Sequence, residues 1–190
     1  NVIPAKAGIR QWNRSGFPPA RYRRNRPARK NDMTASYDAG CASAMKSENM
    51  HAFGRIAEID LGRGNAEIAP LSRHRVQRSL GGLGLNVAAL YHGIPAFMAA
   101  DDPRNPLLVS RGLLTGTVAP SASRVQINAL SPLSGMIGSS NVGGHFGARL
   151  YALNMHSLIF RGRADAPVYA LVTEEGVRLL PAGHLWGLDT

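Results

Sequence analysis

Nine of the first 32 residues are Lys or Arg, and Pro4, Pro18, Pro19 and Pro27 interrupt the same stretch. Proline fixes φ, removes a backbone donor and breaks helices, so a folded core must be built from residues further along the chain. Residues 1–50 show neither helical nor strand periodicity, and the arginine-rich run gives way to a small polar stretch at 34–47. Without a repeating apolar face there is nothing to offset the entropy of ordering the backbone. The expectation is a disordered basic tail over residues 1–50 and one folded domain over residues 51–190.

Two functional readings compete for that tail. An acid-poor, arginine-rich start fits an organelle transit peptide, although the prolines oppose the amphipathic helix such a peptide needs. A basic arm for nucleic acid is the other. The opening nine residues, NVIPAKAGI, also resemble the peptide obtained when a common bacterial intergenic repeat is translated, which would put the true start at Met33, Met45 or Met50.

The formal net charge of +10 would ordinarily suggest nucleic acid or an anionic membrane as partner. The first 32 residues carry nine cations against Asp32, however, and the remaining 158 hold 13 basic and 11 acidic groups. That near-neutral body argues against a large phosphate-binding surface, so neither nucleic acid nor membrane is expected as partner. Cys41 is the single cysteine, so this chain forms no internal disulfide and cannot supply the roughly four thiolates of an iron–sulfur cluster. The most apolar stretch, 83–100, is broken by Asn86, His92, Gly93 and Pro95, short of the roughly 20 apolar residues of a membrane helix.

Imperfect apolar alternation over 53–61, turn residues at 62–65 and a second run at 66–71 predict an opening hairpin. Ser72 suits the N-cap of a helix reaching Leu80, and Gly81, Gly82 and Gly84 separate it from a second helix over 85–92. Strands are expected at 107–110 and 125–130, then a glycine- and serine-rich loop at 131–144, a helix near 146–153, a strand at 157–161, and a hairpin of 168–173 with 177–180. Strand pairs interleaved with short helices make the class α+β.

The run GSSNVGGHFG at 138–147 begins with the glycine spacing of a phosphate loop, but His145 stands where lysine is required, and it fails as a Walker motif. The run GLGLNV at 82–87 has half a dinucleotide fingerprint and follows a helix rather than a strand. The 138–147 loop keeps the physics of anion binding, with small residues ahead of a helix start; a tight structural turn is the alternative. The six histidines include no His-Glu-x-x-His zinc spacing.

The residues 113–120 (LLTGTVAP), Arg124, 131–135 (SPLSG) and 140–147 (SNVGGHFG), followed by 159–169 (IFRGRADAPVY) and 184–190 (HLWGLDT), together resemble the linked signature of the aldehyde ferredoxin oxidoreductase family. The likeness runs in order from about Gly54 to Thr190. It implies two β-sheets with short helices, forming the base for a bis-pterin cofactor that holds tungsten or molybdenum, with magnesium bridging the pterin phosphates. It further implies a cytoplasmic oxidoreductase that converts aldehydes to carboxylic acids and passes electrons through a 4Fe-4S cluster to ferredoxin.

By the same resemblance, Arg124 sits where an arginine contacts the pterin beside the cluster, a place suited to a permanently charged planar donor fork. Asn141 matches an asparagine near the bridging ion, and Gly143 a glycine whose backbone approaches the cofactor. No catalytic or metal-ligating residue is assigned. Leu83 and Leu113 depart from the family pattern, as do Ser123 and Val125 around Arg124, which leaves the substrate open. The family's cluster cysteines and substrate-handling groups lie beyond the segments matched here. The expectation is therefore an N-terminal fragment, inactive alone, whose partners are missing C-terminal domains, ferredoxin and aldehyde, and whose uncovered surface promotes self-association. A stand-alone binding module with a basic tail for nucleic acid or an anionic surface is the competing view.

Overall fold

A computed structural model describes Ile3, Pro4 and residues 53–188. The disordered-tail reading of residues 1–50, with Cys41 and the candidate start methionines, otherwise lies outside the described residues. Ile3–Pro4 form the two-residue strand β1.

The opening hairpin forms as β2 (Arg55–Asp60) and β3 (Asn65–Pro70), paired in continuous antiparallel register from Arg55 against Pro70 to Asp60 against Asn65. Helix α1 (Arg73–Ser79) starts where the sequence placed it, the Ser72 hydroxyl accepting a hydrogen bond from the Arg75 amide. This is the N-cap arrangement that satisfies an otherwise orphan donor. Leu80 turns into the left-handed region at φ 59° and ends α1.

Helix α2 (Gly82–Gly93) begins three residues before the sequence expectation, taking in two glycines read as a separator. Leu80, Gly81 and Gly82, at φ 59°, 90° and 51°, make the break. Gly84 lies inside the helix because a Cβ there would sit 2.2 Å from the carbonyl oxygen of Ser79. Close approach to the end of α1 outweighs the roughly 1 kcal/mol that glycine costs a helix interior.

Strands β4 (Leu107–Arg111), β5 (Val125–Leu130), β6 (Ile137–Val142) and β7 (Met155–Arg161), with helix α3 (Phe146–Ala152) between β6 and β7, complete the main sheet in the order β3-β2-β7-β4-β5-β6. Strand β6 corrects the expected loop at 131–144. The segment IGSSNV lacks an apolar face because β6 is an edge strand, held by its ladder to β5 rather than by buried side chains, and pairing overrides propensity. Strands β2 and β7 run parallel; the other pairs of this sheet are antiparallel.

The centre of the sheet is buried on both faces, as the unbroken burial of Met155 to Phe160 in β7 records. One face packs Ile56, Leu108 and Ile159 against Val76 of α1 and Leu85 and Leu90 of α2. The other packs Ile59, Val109, Leu158 and Phe160 with Leu150 of α3 and Ala170 of the second sheet. That sheet is β1-β8-β9, with β8 (Val168–Val172) and β9 (Val177–Pro181) forming the expected hairpin. The class is α+β with two sheets and three short α-helices, as expected.

Candidate functional site

Arg124 immediately precedes β5, and Asn141 lies on β6 opposite Gln126. Residues two apart on a strand share a face, so Arg124 and Asn141 lie on the same face of the β5–β6 hairpin. The Arg124 guanidinium donates through Nη1 to Asn141 Oδ1 at 2.8 Å. Two of the three sequence-assigned residues, 17 apart in the chain, are thus joined in one exposed pair.

What holds Arg124 there is Thr115, a member of the LLTGTVAP motif to which sequence reasoning gave no role. Its buried hydroxyl donates to the Arg124 carbonyl at 2.8 Å and accepts from the Gly112 amide at 3.1 Å. Its methyl group packs where a Cβ on Gly147 would come within 2.6 Å. The 113–120 loop, the start of β5 and α3 are locked through this threonine. Only tertiary contact reveals it, since a Thr in a loop has no distinguishing local signal.

Edge strand β6 is tied to the interior by a buried polar chain. Ser157 on β7 shares a hydrogen bond with Ser110 on β4 at 2.6 Å; Ser110 donates to Asn86 Oδ1 on α2. Asn86 donates to Asn128 Oδ1 at 2.9 Å and to the Gln126 carbonyl, and Asn128 donates to the Gly138 carbonyl at 3.0 Å. Asn86, Ser110, Asn128 and Ser157 are at most 1% exposed. Leaving any one unpaired would cost about 1–3 kcal/mol, so the network fixes β6, and with it Asn141, against β5.

Gly143 follows β6. A Cβ there meets nothing within 4 Å, and its φ lies outside the left-handed region. Neither the backbone nor any described neighbour explains a glycine at this position. Gly81 differs: a Cβ would fall 2.8 Å from Nε2 of His156. The glycines at 81 and 84 therefore answer to packing, in keeping with the failed dinucleotide fingerprint. The expected anion loop over 138–147 is a strand through Val142, followed by a seven-residue helix with no side-chain cap.

His156 is wholly buried, and neither ring nitrogen makes a hydrogen bond. Burial, then the nearby charge of Arg111, push its pKa down to about 4, against a small opposing influence from the Phe53 backbone. Arg111 is itself 3% exposed. It donates through Nε to the Met155 carbonyl at 3.0 Å, stacks 5.0 Å from the centre of the Tyr151 ring, and among the described residues has no carboxylate within 4.0 Å. Desolvation lowers its pKa.

The near-neutral body conceals a segregation of charge. Residues 68–164 contain nine arginines against Asp101 and Asp102 alone, and Asp102 is bound by Arg104 at 2.6 Å; residues 103–164 contain no acid at all. Every element around the Arg124–Asn141 pair belongs to that basic part. The inference from overall charge missed it by averaging with the acids on β2–β3 and after Ala164. No three or more His, Cys, Asp or Glu side chains gather as a metal site among the described residues, and none of their helices is long and apolar enough to cross a membrane.

Residues 56–190 match the family model described as aldehyde ferredoxin oxidoreductase, N-terminal domain. The tungsten-containing aldehyde ferredoxin oxidoreductase of Pyrococcus furiosus is 31% identical over 135 residues, 71% of this chain and 22% of that protein. The aliphatic sulfonate oxidoreductase, WOR-like subunit, of the same organism is 29% identical over 143 residues, 73% of this chain and 23% of that one. Among solved structures, the active site complex BamBC of benzoyl coenzyme A reductase in complex with 1,5-dienoyl-CoA aligns with a TM-score of 0.70 at 30% identity, covering 73% of this chain and 21% of that one. The chain spans about a fifth of the length of these relatives.

Proposed function

The chain belongs to the aldehyde ferredoxin oxidoreductase family through that family's N-terminal domain, and from this premise we propose that it is the cofactor-binding portion of a tungsten- or molybdenum-pterin oxidoreductase. The observation that carries the reading is the Arg124–Asn141 hydrogen bond, which joins two residues whose cofactor role is inferred from the resemblance to the family. A group with phosphate and carbonyl oxygens fits the chemistry present. Arg124 retains N–H donors beyond the one spent on Asn141, the surrounding elements carry no acid, and Gly143 leaves open space where a side chain would stand. Arg124 and Asn141 would hold the pterin and phosphate oxygens, Asn141 would offer an oxygen to any magnesium bound there, and the Gly143 backbone would lie against the ligand.

When bound, the metal–pterin group supplies the two-electron redox chemistry that turns an aldehyde into a carboxylic acid. This chain's residues contribute binding and orientation. Thr115 and the Ser110–Asn86–Asn128 network keep the donors in place before the ligand arrives, which lowers the ordering cost of binding. Arg124 presents a planar guanidinium donor fork there. One cysteine cannot ligate a 4Fe-4S cluster, so other segments would have to hold any cluster that serves ferredoxin, and the 190 residues alone would not turn over. Those segments would cover this face, and without them the chain would self-associate.

The test is a chimera in which residues 56–190 replace the matching segment of the Pyrococcus furiosus enzyme. Retention of tungsten and pterin together with aldehyde oxidation is expected. A folded chimera that purifies without either would overturn the reading.

A further inference from the structure

The donors on the β5–β6 face do not end with Arg124 and Asn141. Gln126 lies directly across the ladder from Asn141 and two residues beyond Arg124, so the three side chains share a face. Its Cγ is 3.7 Å from where a Cβ on Gly82 would stand, and the glycine leaves it room beside the first turn of α2. Ser139, diagonal to it on β6, donates its hydroxyl to Gln126 Oε1 at 3.3 Å. That contact occupies the amide's acceptor and sets its orientation, leaving the Nε2 group with no hydrogen-bond partner among the described residues.

Asn141 shows the same polarity. Its Oδ1 takes the Arg124 donor, so its Nδ2 remains unspent, as do the Nε and Nη2 groups of Arg124. Three neighbouring side chains therefore present unspent N–H donors, and the two amide oxygens among them each already take one hydrogen bond within the protein. The 62-residue stretch from 103 to 164 that builds this face contains no carboxylate to meet them.

We propose that Gln126, oriented by Ser139, is a third ligand-binding residue of the Arg124–Asn141 site, and that the part of the ligand it meets is an oxyanion of the phosphate type. The unspent donors on this face outnumber the acceptors left on the Ser139 hydroxyl and the two amide oxygens, so an acceptor-rich group fits it better than an amine. Charged acceptor oxygens make the strongest use of such donors. The inference rests on the reading of this face as the cofactor site and adds to it a residue that meets the phosphate end of the ligand.

Inorganic pyrophosphate, titrated into the isotope-labelled 190-residue chain and followed through its side-chain amide NMR signals, tests this directly. The NH2 signals of Gln126 and Asn141 should move together and saturate. Gln126→Glu keeps size and the Ser139 contact but sets a carboxylate before the anion, and should weaken binding at least tenfold; Gln126→Leu should weaken it severalfold. If Gln126→Glu fails to fold, the leucine variant decides. Binding that falls tenfold in Arg124→Gln yet stays within twofold of the original in both Gln126 variants would overturn the role of Gln126 and leave the site standing. No saturable movement of either amide in the unaltered chain would overturn this proposal and count against the site itself.

Discussion

The glycine-rich runs at 81–84 and 143–147 look alike in sequence, yet their glycines answer to different neighbours. In the first, a side chain at Gly81 would strike His156, and one at Gly84 would strike the backbone at Ser79. In the second, Gly147 is likewise spoken for, by Thr115, Ser123 and Val125, whereas Gly143 has open space and an ordinary φ. Glycines that the chain's own packing demands are scaffolding. Gly143, two positions along from Asn141, is demanded by none of the described residues, and on the proposed reading its neighbour is the ligand.

The sharpest way to break this contrast is Gly81→Ala. Overpacking costs about 1–3 kcal/mol, and a Cβ in the left-handed region adds about 1–2 kcal/mol, so urea denaturation should show a loss of about 2–5 kcal/mol. A loss below about 0.5 kcal/mol would mean that His156 moves aside and that the first run is not packing-limited.

His156 sharpens the same side of the comparison through pH. Its folded pKa of about 4 lies below the ordinary value of 6.5, so the folded state favours the neutral ring. Above pH 6.5 both states hold it neutral and the contribution is constant. As pH falls toward 4 the unfolded chain takes up a proton that the folded chain refuses, and stability declines by about 1.4 kcal/mol per pH unit, about 3 kcal/mol in all. Against a His156→Gln variant, which lacks this titration, the original should lose stability more steeply between pH 6.5 and 4. Parallel curves would show that the ring finds a partner.

On the other side, in the chimera with the Pyrococcus furiosus enzyme, Asn141→Ala should lower tungsten content, since an unpaired polar partner costs about 1–3 kcal/mol, while protein that still holds metal keeps most of its rate. Arg124→Lys should do the reverse, keeping charge and losing the planar fork. Metal analysis beside rate measurement separates them, and wild-type values of both in both variants would remove these residues from the site.

The smallest effect on stability belongs to Gly143→Ala, expected within about 0.5 kcal/mol of the original, as for a surface change that touches nothing. Cofactor retention in the chimera should nonetheless drop severalfold. Unfolding measurements and pterin content taken on one preparation check the pair, and a variant that keeps its pterin would return Gly143 to the class of incidental glycines.

Local chemistry carried most of the fold. Alternation gave both hairpins, the Ser72 hydroxyl gave the start of α1, and the apolar run at 157–161 marked β7. The spaced motifs gave the family and, through the resemblance, the proposal for Arg124 and Asn141. Strand β6 was illegible, since an edge strand of Gly, Ser and Asn is held by its partner's backbone, which has no signature in its own side chains. The same reason hid Thr115, the Asn86–Asn128 network and the Gln126–Ser139 pair: their hydrogen bonds cross 9 to 47 positions of chain. Which glycines the chain's own packing demands was decided only in three dimensions, because a missing Cβ is silent about its neighbours until the tertiary structure places them.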